Sequence, residues 1–267
     1  MDSESHRKMA DTMRKNFASN LVLIIAGMFL FFPLYAAAEF SLRNGADKTH
    51  GFAAYRWIFD QSGFAENIGI TFRVTLLAVV LNLLIMVPTV TWLHLSGQRY
   101  KRLVEILTIL PLIIPVVALA TGAQLAMPEF MQNSVYELSF FYVVVAMPYT
   151  YRALDIGLAA HPLATLTNAA RSLGASWLKT FTTVVAPTIR PSILAALFLM
   201  VALSLGEFTL AQLLHWSTFP VWVTNVSQQN IVGETALAIG SLFFAWVLLF
   251  SFTFIGKKNS TIVTEEG

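Results

Sequence analysis

The chain contains no cysteine, and charged side chains are scarce: Asp, Glu, Lys and Arg make up only 12% of its 267 residues. The absence of cysteine excludes disulfide bridges, cysteine-ligated zinc sites and iron–sulfur clusters. Soluble domains carry about 25% charged residues, so this composition, which is 56% hydrophobic, excludes a disordered protein, a coiled coil and an ordinary cytosolic enzyme. The net charge of +2 gives no sign of a nucleic-acid partner.

In place of charged residues, the chain contains several long apolar runs. A bilayer core about 30 Å thick needs roughly 20 apolar residues in a helix that rises 1.5 Å per residue. The sequence therefore predicts an all-α, multi-pass protein in contact with membrane lipid, with an N-terminal segment over residues 1–16 and a tail over 257–267. The six transmembrane helices that we expect lie within 17–256, at residues 17–40, 70–95, 103–126, 136–156, 192–214 and 235–256.

Lys and Arg are concentrated on one side of these predicted helices. Thirteen of the 17 lie before the first span, between the second and third, near the end of the fourth or between it and the fifth, or after the sixth. Because positive residues stay on the cytoplasmic side, we expect both termini in the cytoplasm.

The first span also resembles a secretory signal, since a basic start and an apolar run precede Ala36-Ala37-Ala38. We interpret it as an uncleaved helix because the apolar run and the basic region are both long. The topology of the remaining spans is the same under either interpretation.

The predicted cytoplasmic loop over residues 157–190 is too apolar to be a simple tether. His161-Pro162 opens a segment in which apolar residues recur at helical spacing as far as Leu173. Gly174 ends that segment, as a glycine in a left-handed helix cap does, and a second apolar stripe begins at Trp177. We expect two short helices that meet at Gly174 and form a docking elbow on the cytoplasmic face.

The elbow resembles the EAA loop of ABC importer permeases, in which Glu-Ala-Ala is followed at fixed spacing by Gly, an aliphatic residue and Pro. Five positions match that pattern in register: Ala169, Ala170, Gly174, Val184 and Pro187. Asn168 stands where Glu is usual, and Ala186 where Leu is usual. The chain thus resembles binding-protein-dependent permeases of the type I, MetI-like family over about residues 68–256.

This resemblance implies one subunit of an ATP-driven importer in the cell (inner) membrane. A homologous or identical second permease subunit would complete the path, ATP-binding cassette subunits would dock from the cytoplasm, and an extracytoplasmic binding protein would deliver the solute. The loop over residues 161–187 would couple the chain to the ATPase. The docking residues that the resemblance implies are Asn168, Ala169, Ala170, Arg171, Leu173, Gly174 and Pro187.

No catalytic residue, cofactor or metal site is predicted in this chain. It lacks a Gly-rich phosphate loop with Lys-Ser/Thr, so ATP hydrolysis is expected on the partner subunit. Its five His residues show no spacing typical of metal ligands.

Glu207 is the acidic residue that we expect deepest in a span. A carboxylate there is costly unless it faces a cavity or a partner. It is expected either to line the translocation path with Phe208 and Gln212, or to make a structural hydrogen bond to another helix or to the second permease subunit. Asn82 and Gln124 are candidate partners within this chain, or they form polar contacts between helices, which is the interpretation that we favour.

The segment Leu205-Gly206-Glu207-Phe208 is similar to one in permeases for polyamines, ferric iron, thiamine and phosphonates. Because a buried carboxylate suits a cation, we expect a polyamine substrate, with ferric iron, thiamine or a phosphonate as alternatives. Outside transport, a polytopic membrane scaffold or assembly factor is the alternative. A membrane enzyme is disfavoured, because Glu207 alone does not supply a catalytic cluster.

Overall fold

The computed structural model describes residues 3–43, 49–96, 99–228 and 230–257, so the predicted tail beyond 257 lies outside the described residues. Within these ranges the regular structure is helical, apart from an isolated β-bridge between Arg43 and His50. The helices are α1 (Ser3–Ser41), α2 (Ala53–Asp60), α3 (Phe64–Leu95), α4 (Lys101–Ile113), α5 (Val116–Ala126), α6 (Glu129–Gln132), α7 (Glu137–Ala159), α8 (Leu163–Ser172), α9 (Trp177–Thr180), a π-helical turn (Phe181–Val185), α10 (Ala186–Thr188), α11 (Arg190–Leu205), α12 (Thr209–Leu213), α13 (Phe219–Ser227) and α14 (Ile231–Lys257).

Two of the described helices are individually long and apolar enough to cross a bilayer, namely Ser19–Ser41 within α1 and the whole of α3. Two bent pairs, α4 with α5 and Trp177–Thr188 with α11, raise the number to four if each pair forms one span. The chain is therefore a membrane protein with several apolar helices. The count of six spans and the cytoplasmic position of both termini stay predictions.

Ser62–Asn225 forms a compact unit in which α3, α7 and α11 pack against one another. One apolar cluster contains Val74, Leu138 and Met200, and a second contains Leu93 and Leu158. Since lipid tails are as apolar as these side chains, close van der Waals packing rather than escape from water holds such helices together in a bilayer.

The other compact unit comprises the chain up to Gln61 together with Val226–Val247. Between Leu21 and Tyr35, α1 exposes nearly all of its large apolar side chains, as expected of a helix in contact with lipid. Within this unit a Cβ on Gly233 would lie 2.4 Å from the Trp57 ring, so glycine is required for this contact.

The run over residues 103–126, which was predicted as a single span, is two helices. α4 ends at Ile113 and α5 begins at Val116, and their axes differ by 102°. The cause is Pro115, because the residue before a proline is pushed out of the helical region. Ile114 accordingly has extended backbone angles, with φ −77° and ψ 126°.

Two further predicted boundaries differ from the structure. The span predicted over residues 192–214 is helical as α11 only to Leu205, and Gly206–Phe208 separates it from the short α12. The span predicted from residue 70 begins earlier, at Phe64, because Gly63 has a φ of +83° and turns the chain into α3. An apolar run thus locates a helix along the chain better than it defines the helix ends.

α7 and α11 approach each other closely at Gly157 and Ser192. A Cβ built on Gly157 would lie 1.6 Å from Ser192 Oγ and 2.4 Å from Ser192 Cβ. We therefore expect Gly157→Ala to reduce the stability of the purified chain by about 1–3 kcal/mol through overpacking, measured as a lower Tm in detergent.

Gly122→Ala is the matched control for this substitution, since no described atom lies within 4 Å of a Cβ at Gly122. Its Tm is expected to stay unchanged or rise slightly, because Ala favours a helix more than Gly does. Adding Ser192→Gly to Gly157→Ala should recover most of the lost stability. Equal Tm values for the two single variants would contradict this helix contact.

Candidate functional site

α8, the first helix of the predicted coupling loop, is anchored to the rest of its unit at two positions. Leu163 and Thr167 lie one turn apart and are only 3% and 4% exposed. Leu163 belongs to the same apolar cluster as Leu93 near the end of α3 and Leu158 near the end of α7. The Thr167 hydroxyl donates to the Leu163 carbonyl at 2.8 Å, which satisfies its buried oxygen. α8 is thus seated on the last turns of α3 and α7.

Gly174 ends α8 with a φ of +82°, which confirms the predicted left-handed cap. The Gly174 N–H donates to the Arg171 carbonyl at 2.9 Å, and the Ala175 N–H donates to the Ala170 carbonyl at 3.2 Å. This pair of bonds defines a Schellman motif. No described atom lies within 4 Å of a Cβ at Gly174. Glycine is therefore favoured by backbone conformation and not by lack of space.

An apolar surface is exposed along α8 and α9. We define the elbow patch as Leu166, Leu173, Trp177 and Leu178, which are 37%, 89%, 49% and 72% exposed. Of the predicted docking residues, Leu173 belongs to the elbow patch, Ala170 is half-buried, and the ones exposed on the same segment are Asn168, Ala169, Arg171 and Gly174. Pro187 is also exposed, but it lies in α10 beyond the π-helical turn. Several large apolar side chains exposed within one short stretch of chain are typical of a site that a partner covers.

Beyond the elbow patch, the chain returns to the core through a continuous but irregular helical segment. The Ser176 hydroxyl caps α9 by accepting the Lys179 N–H at 3.4 Å. The π-helical turn then precedes Pro187, whose missing N–H and bulky ring are incompatible with a regular α-helical turn. Val185 and Ile189 are fully buried, and the direction changes by 75° where α11 begins. Both sides of the elbow are therefore fixed to the same helical core.

Glu207 does not lie inside a continuous helix, as was predicted, but in the break between α11 and α12. Its carboxylate accepts the Leu210 N–H at 2.8 Å and the Thr209 N–H at 3.1 Å. These are two of the N–H groups that the start of α12 would otherwise leave unpaired. Of the two path residues predicted beside it, Phe208 is half-buried against the core and Gln212 is exposed on α12.

The two candidate partners of Glu207 bind elsewhere. The Asn82 amide is fully buried and donates to the Val143 carbonyl of α7 at 3.5 Å, which agrees with a structural contact between helices. The Gln124 amide donates to both carboxylate oxygens of Glu137, at 3.3 and 3.2 Å. Neither side chain donates to Glu207 in the described residues.

Glu137 is the buried carboxylate that sequence analysis missed, at 1% exposure. It opens α7 and accepts hydrogen bonds from the Gln124 amide and from the indole N–H of Trp216. The sequence does show polar side chains near the ends of several apolar runs. It does not show which of them meet, because Glu137 and Trp216 are 79 residues apart and are brought together by tertiary packing.

No family model matches the chain. The PhnV protein of Salmonella typhimurium, named as a permease protein of a 2-aminoethylphosphonate transport system, is 27% identical over 169 residues. This match covers 61% of the chain and 63% of PhnV. The PhnV protein of Salmonella choleraesuis is also 27% identical, over 168 residues. The chain thus spans less than two thirds of the length of the curated relatives it matches.

Two solved structures share the fold over nearly the whole chain. The crystal structure of a bacterial ABC transporter involved in the import of the acidic polysaccharide alginate matches with a TM-score of 0.62 at 19% identity, covering 97% of this chain and all of that one. The alginate transporter in complex with a periplasmic protein that binds an alginate pentasaccharide gives 0.60 at 17% identity, covering 97% and 98%. The chain shares its fold with a chain of these bacterial ABC transporters, and the predicted resemblance to ABC importer permeases is confirmed.

The capping contacts of Glu207 generate a prediction. Glu207→Gln keeps one acceptor oxygen, so the variant should lose about 1 kcal/mol of stability, and Glu207→Ala should lose more. Tm values in detergent measure both, with Gln212→Ala on the exposed side of α12 as the control without effect. Unchanged stability together with altered transport by the assembled complex would show a path residue instead of a cap.

Proposed function

We propose that this chain is the permease subunit of an ATP-driven importer in the inner membrane, with both termini in the cytoplasm. Together with a homologous second permease subunit it forms the path for a small solute delivered by an extracytoplasmic binding protein. The elbow patch is the observation that carries this proposal, because it presents exposed apolar side chains on a segment fixed to the helical core. The shared fold and the names of the relatives support it.

An ATP-binding cassette subunit docks on the elbow patch. Ala169 and Ala170 allow a partner surface to approach α8 closely, and Leu173, at 89% exposure, is the apolar side chain best placed to enter a groove. Arg171 lies at the rim and tunes association. Because α8 is seated on the last turns of α3 and α7, a displacement of the docked subunit moves those helix ends as a rigid group.

Asn168 changes the chemistry of docking at the position where the family usually has Glu. An amide can donate and accept hydrogen bonds but cannot form an ion pair. Docking therefore depends here on apolar contact and on the Schellman turn at Gly174. ATP is hydrolysed on the docked subunit.

A small phosphonate is the substrate class that we favour. Relatives named for 2-aminoethylphosphonate support it, while the argument for a polyamine has lost its premise. That argument rested on a carboxylate buried within a span, whereas Glu207 is half-buried in a helix break and both of its oxygens accept backbone N–H groups. Ferric iron and thiamine stay as alternatives.

Substitutions in the elbow test the docking assignment. Gly174→Leu forces a side chain into left-handed backbone and costs roughly 1 kcal/mol or more of local strain. Ala170→Asp brings an unpaired charge into the docking surface. Both variants should reach normal membrane levels yet lose the ATPase subunit in pull-downs from detergent-solubilised membranes, and uptake should be abolished. Arg171→Ala should be milder.

The controls separate docking from folding. Gly174→Asn should retain binding, because Asn tolerates the left-handed conformation. Gly122→Leu adds the same side chain at an open helical position and should also retain it. Full ATPase binding and uptake by both Gly174→Leu and Ala170→Asp would show that the elbow only packs on its own bundle, as expected of a scaffold or assembly factor.

A further inference from the structure

The last turn of α7 carries a buried ion pair that sequence analysis did not single out. One oxygen of Asp155, Oδ1, lies 2.8 Å from His94 Nε2 and 2.8 Å from Lys101 Nζ. The side chains of Asp155 and His94 are each 9% exposed, and that of Lys101 is 25% exposed. We call these three residues the inner clasp. It joins the last turn of α3 and the first residue of α4 to α7 through a single carboxylate.

The first residue of α7 holds the other end of the bent pair formed by α4 and α5. Gln124, in the last turn of α5, donates to Glu137. We call Glu137, Gln124 and Trp216 the outer clasp. The pair α4–α5 is therefore bound to the same helix at its beginning, through Lys101, and at its end, through Gln124.

Between the two clasps the α4–α5 pair packs against neighbouring helices, but it buries few of its own side chains. Thr108 is the only residue of α4 that is buried. At the bend, Ile113 and Val117 are 75% and 59% exposed. Helices that bury few side chains can be displaced at modest cost. The clasps are polar contacts that hold this pair to α7 at both of its ends.

The inner clasp lies beside the seat of α8. Leu93 and Leu154 are the chain neighbours of His94 and Asp155, and both belong to the apolar cluster that contains Leu163 of α8. A displacement of α8 therefore acts on the same helix turns that carry the clasp. A buried ion pair is costly to break, since either partner alone would leave an uncompensated charge. Such an ion pair can therefore transmit the movement of one helix to the next, whereas a loose apolar contact would let the helices slide past each other.

We propose that Asp155 is a positioning residue that transmits the displacement of α8 to the α4–α5 pair. This inference rests on the proposed function, in which an ATPase subunit moves α8. Loss of the carboxylate would leave docking intact, because the elbow patch lies outside the clasp, but would disconnect α4 from the moving group.

Spin labels can test this directly, because the chain has no cysteine of its own. Phe140→Cys in α7 provides the reference position. A second cysteine is placed either at Ser172 of α8 or at Leu103 of α4; all three positions are exposed. Distances are measured by electron paramagnetic resonance in the complex with the ATPase subunit, before and after trapping that subunit with ATP and vanadate.

In the wild-type background, trapping is expected to shift both the α8 distance and the α4 distance. In Asp155→Asn the α8 shift should persist while the α4 shift is lost, and Lys101→Gln should give the same pattern. Asp155→Glu should restore at least part of the α4 shift. Glu105→Gln is the matched control, because Glu105 and Arg152 form an exposed pair between the same two helices, 3.8 Å apart, and its removal should change neither distance.

The outcomes separate this proposal from the proposed function. An ATPase subunit that fails to bind the wild-type chain, or a trapped complex without any α8 shift, would overturn the proposed function. An intact α4 shift in both Asp155→Asn and Lys101→Gln would overturn the role of Asp155 alone. Loss of both shifts in these two variants, or an equal loss in Glu105→Gln, would show a general structural effect and would equally overturn it.

Discussion

Apolar surroundings leave a buried polar group no partner except another group of the protein, and the arrangement of this chain depends on that constraint. α3, α7 and α11 form a packed core, and its end regions are fixed by carboxylates with specific donors. Glu137 and Asp155 bind donors from neighbouring elements, while Glu207 satisfies the N–H groups of the short helix that follows it. The helix break at Gly206–Phe208 accordingly contains a side chain that compensates for it.

The need of buried polar groups for protein partners also bears on which helices and helix ends could be predicted from the sequence. Apolar runs predicted most of the long helices, because their lengths follow from bilayer thickness. Gly174 was predictable as a helix end from its position after a helical stripe, and its positive φ agrees. The break at Pro115 was not, because a proline within a span can produce either a mild kink or a change of direction by 102°. The residues that surround the proline in the folded protein decide whether the helix kinks mildly or changes direction.

Partners distant in sequence were the least predictable. Asp155 lies 61 residues from His94, and nothing in the local pattern pairs them. Glu207 was expected either to line the path or to make a structural hydrogen bond, because it was placed inside a continuous span. Since Gly206–Phe208 is a break between helices, its carboxylate instead caps the helix that follows. The elbow could be predicted without knowledge of tertiary contacts. Its signals all lie within a short stretch of chain, namely an apolar stripe at helical spacing, a glycine and a proline.

The central claim is that the elbow patch is covered by an ATP-binding cassette subunit in the cell. Site-specific photo-crosslinking tests it most directly, with a photoreactive amino acid in place of Leu173, which is 89% exposed, and in place of Leu125, 85% exposed at the end of α5, as the reference. After irradiation of intact cells, the Leu173 position should capture an ATP-binding cassette subunit and the Leu125 position should not. Capture of that subunit at neither position, with the Leu173 probe recovered uncrosslinked or joined only to its own chain, would contradict the account.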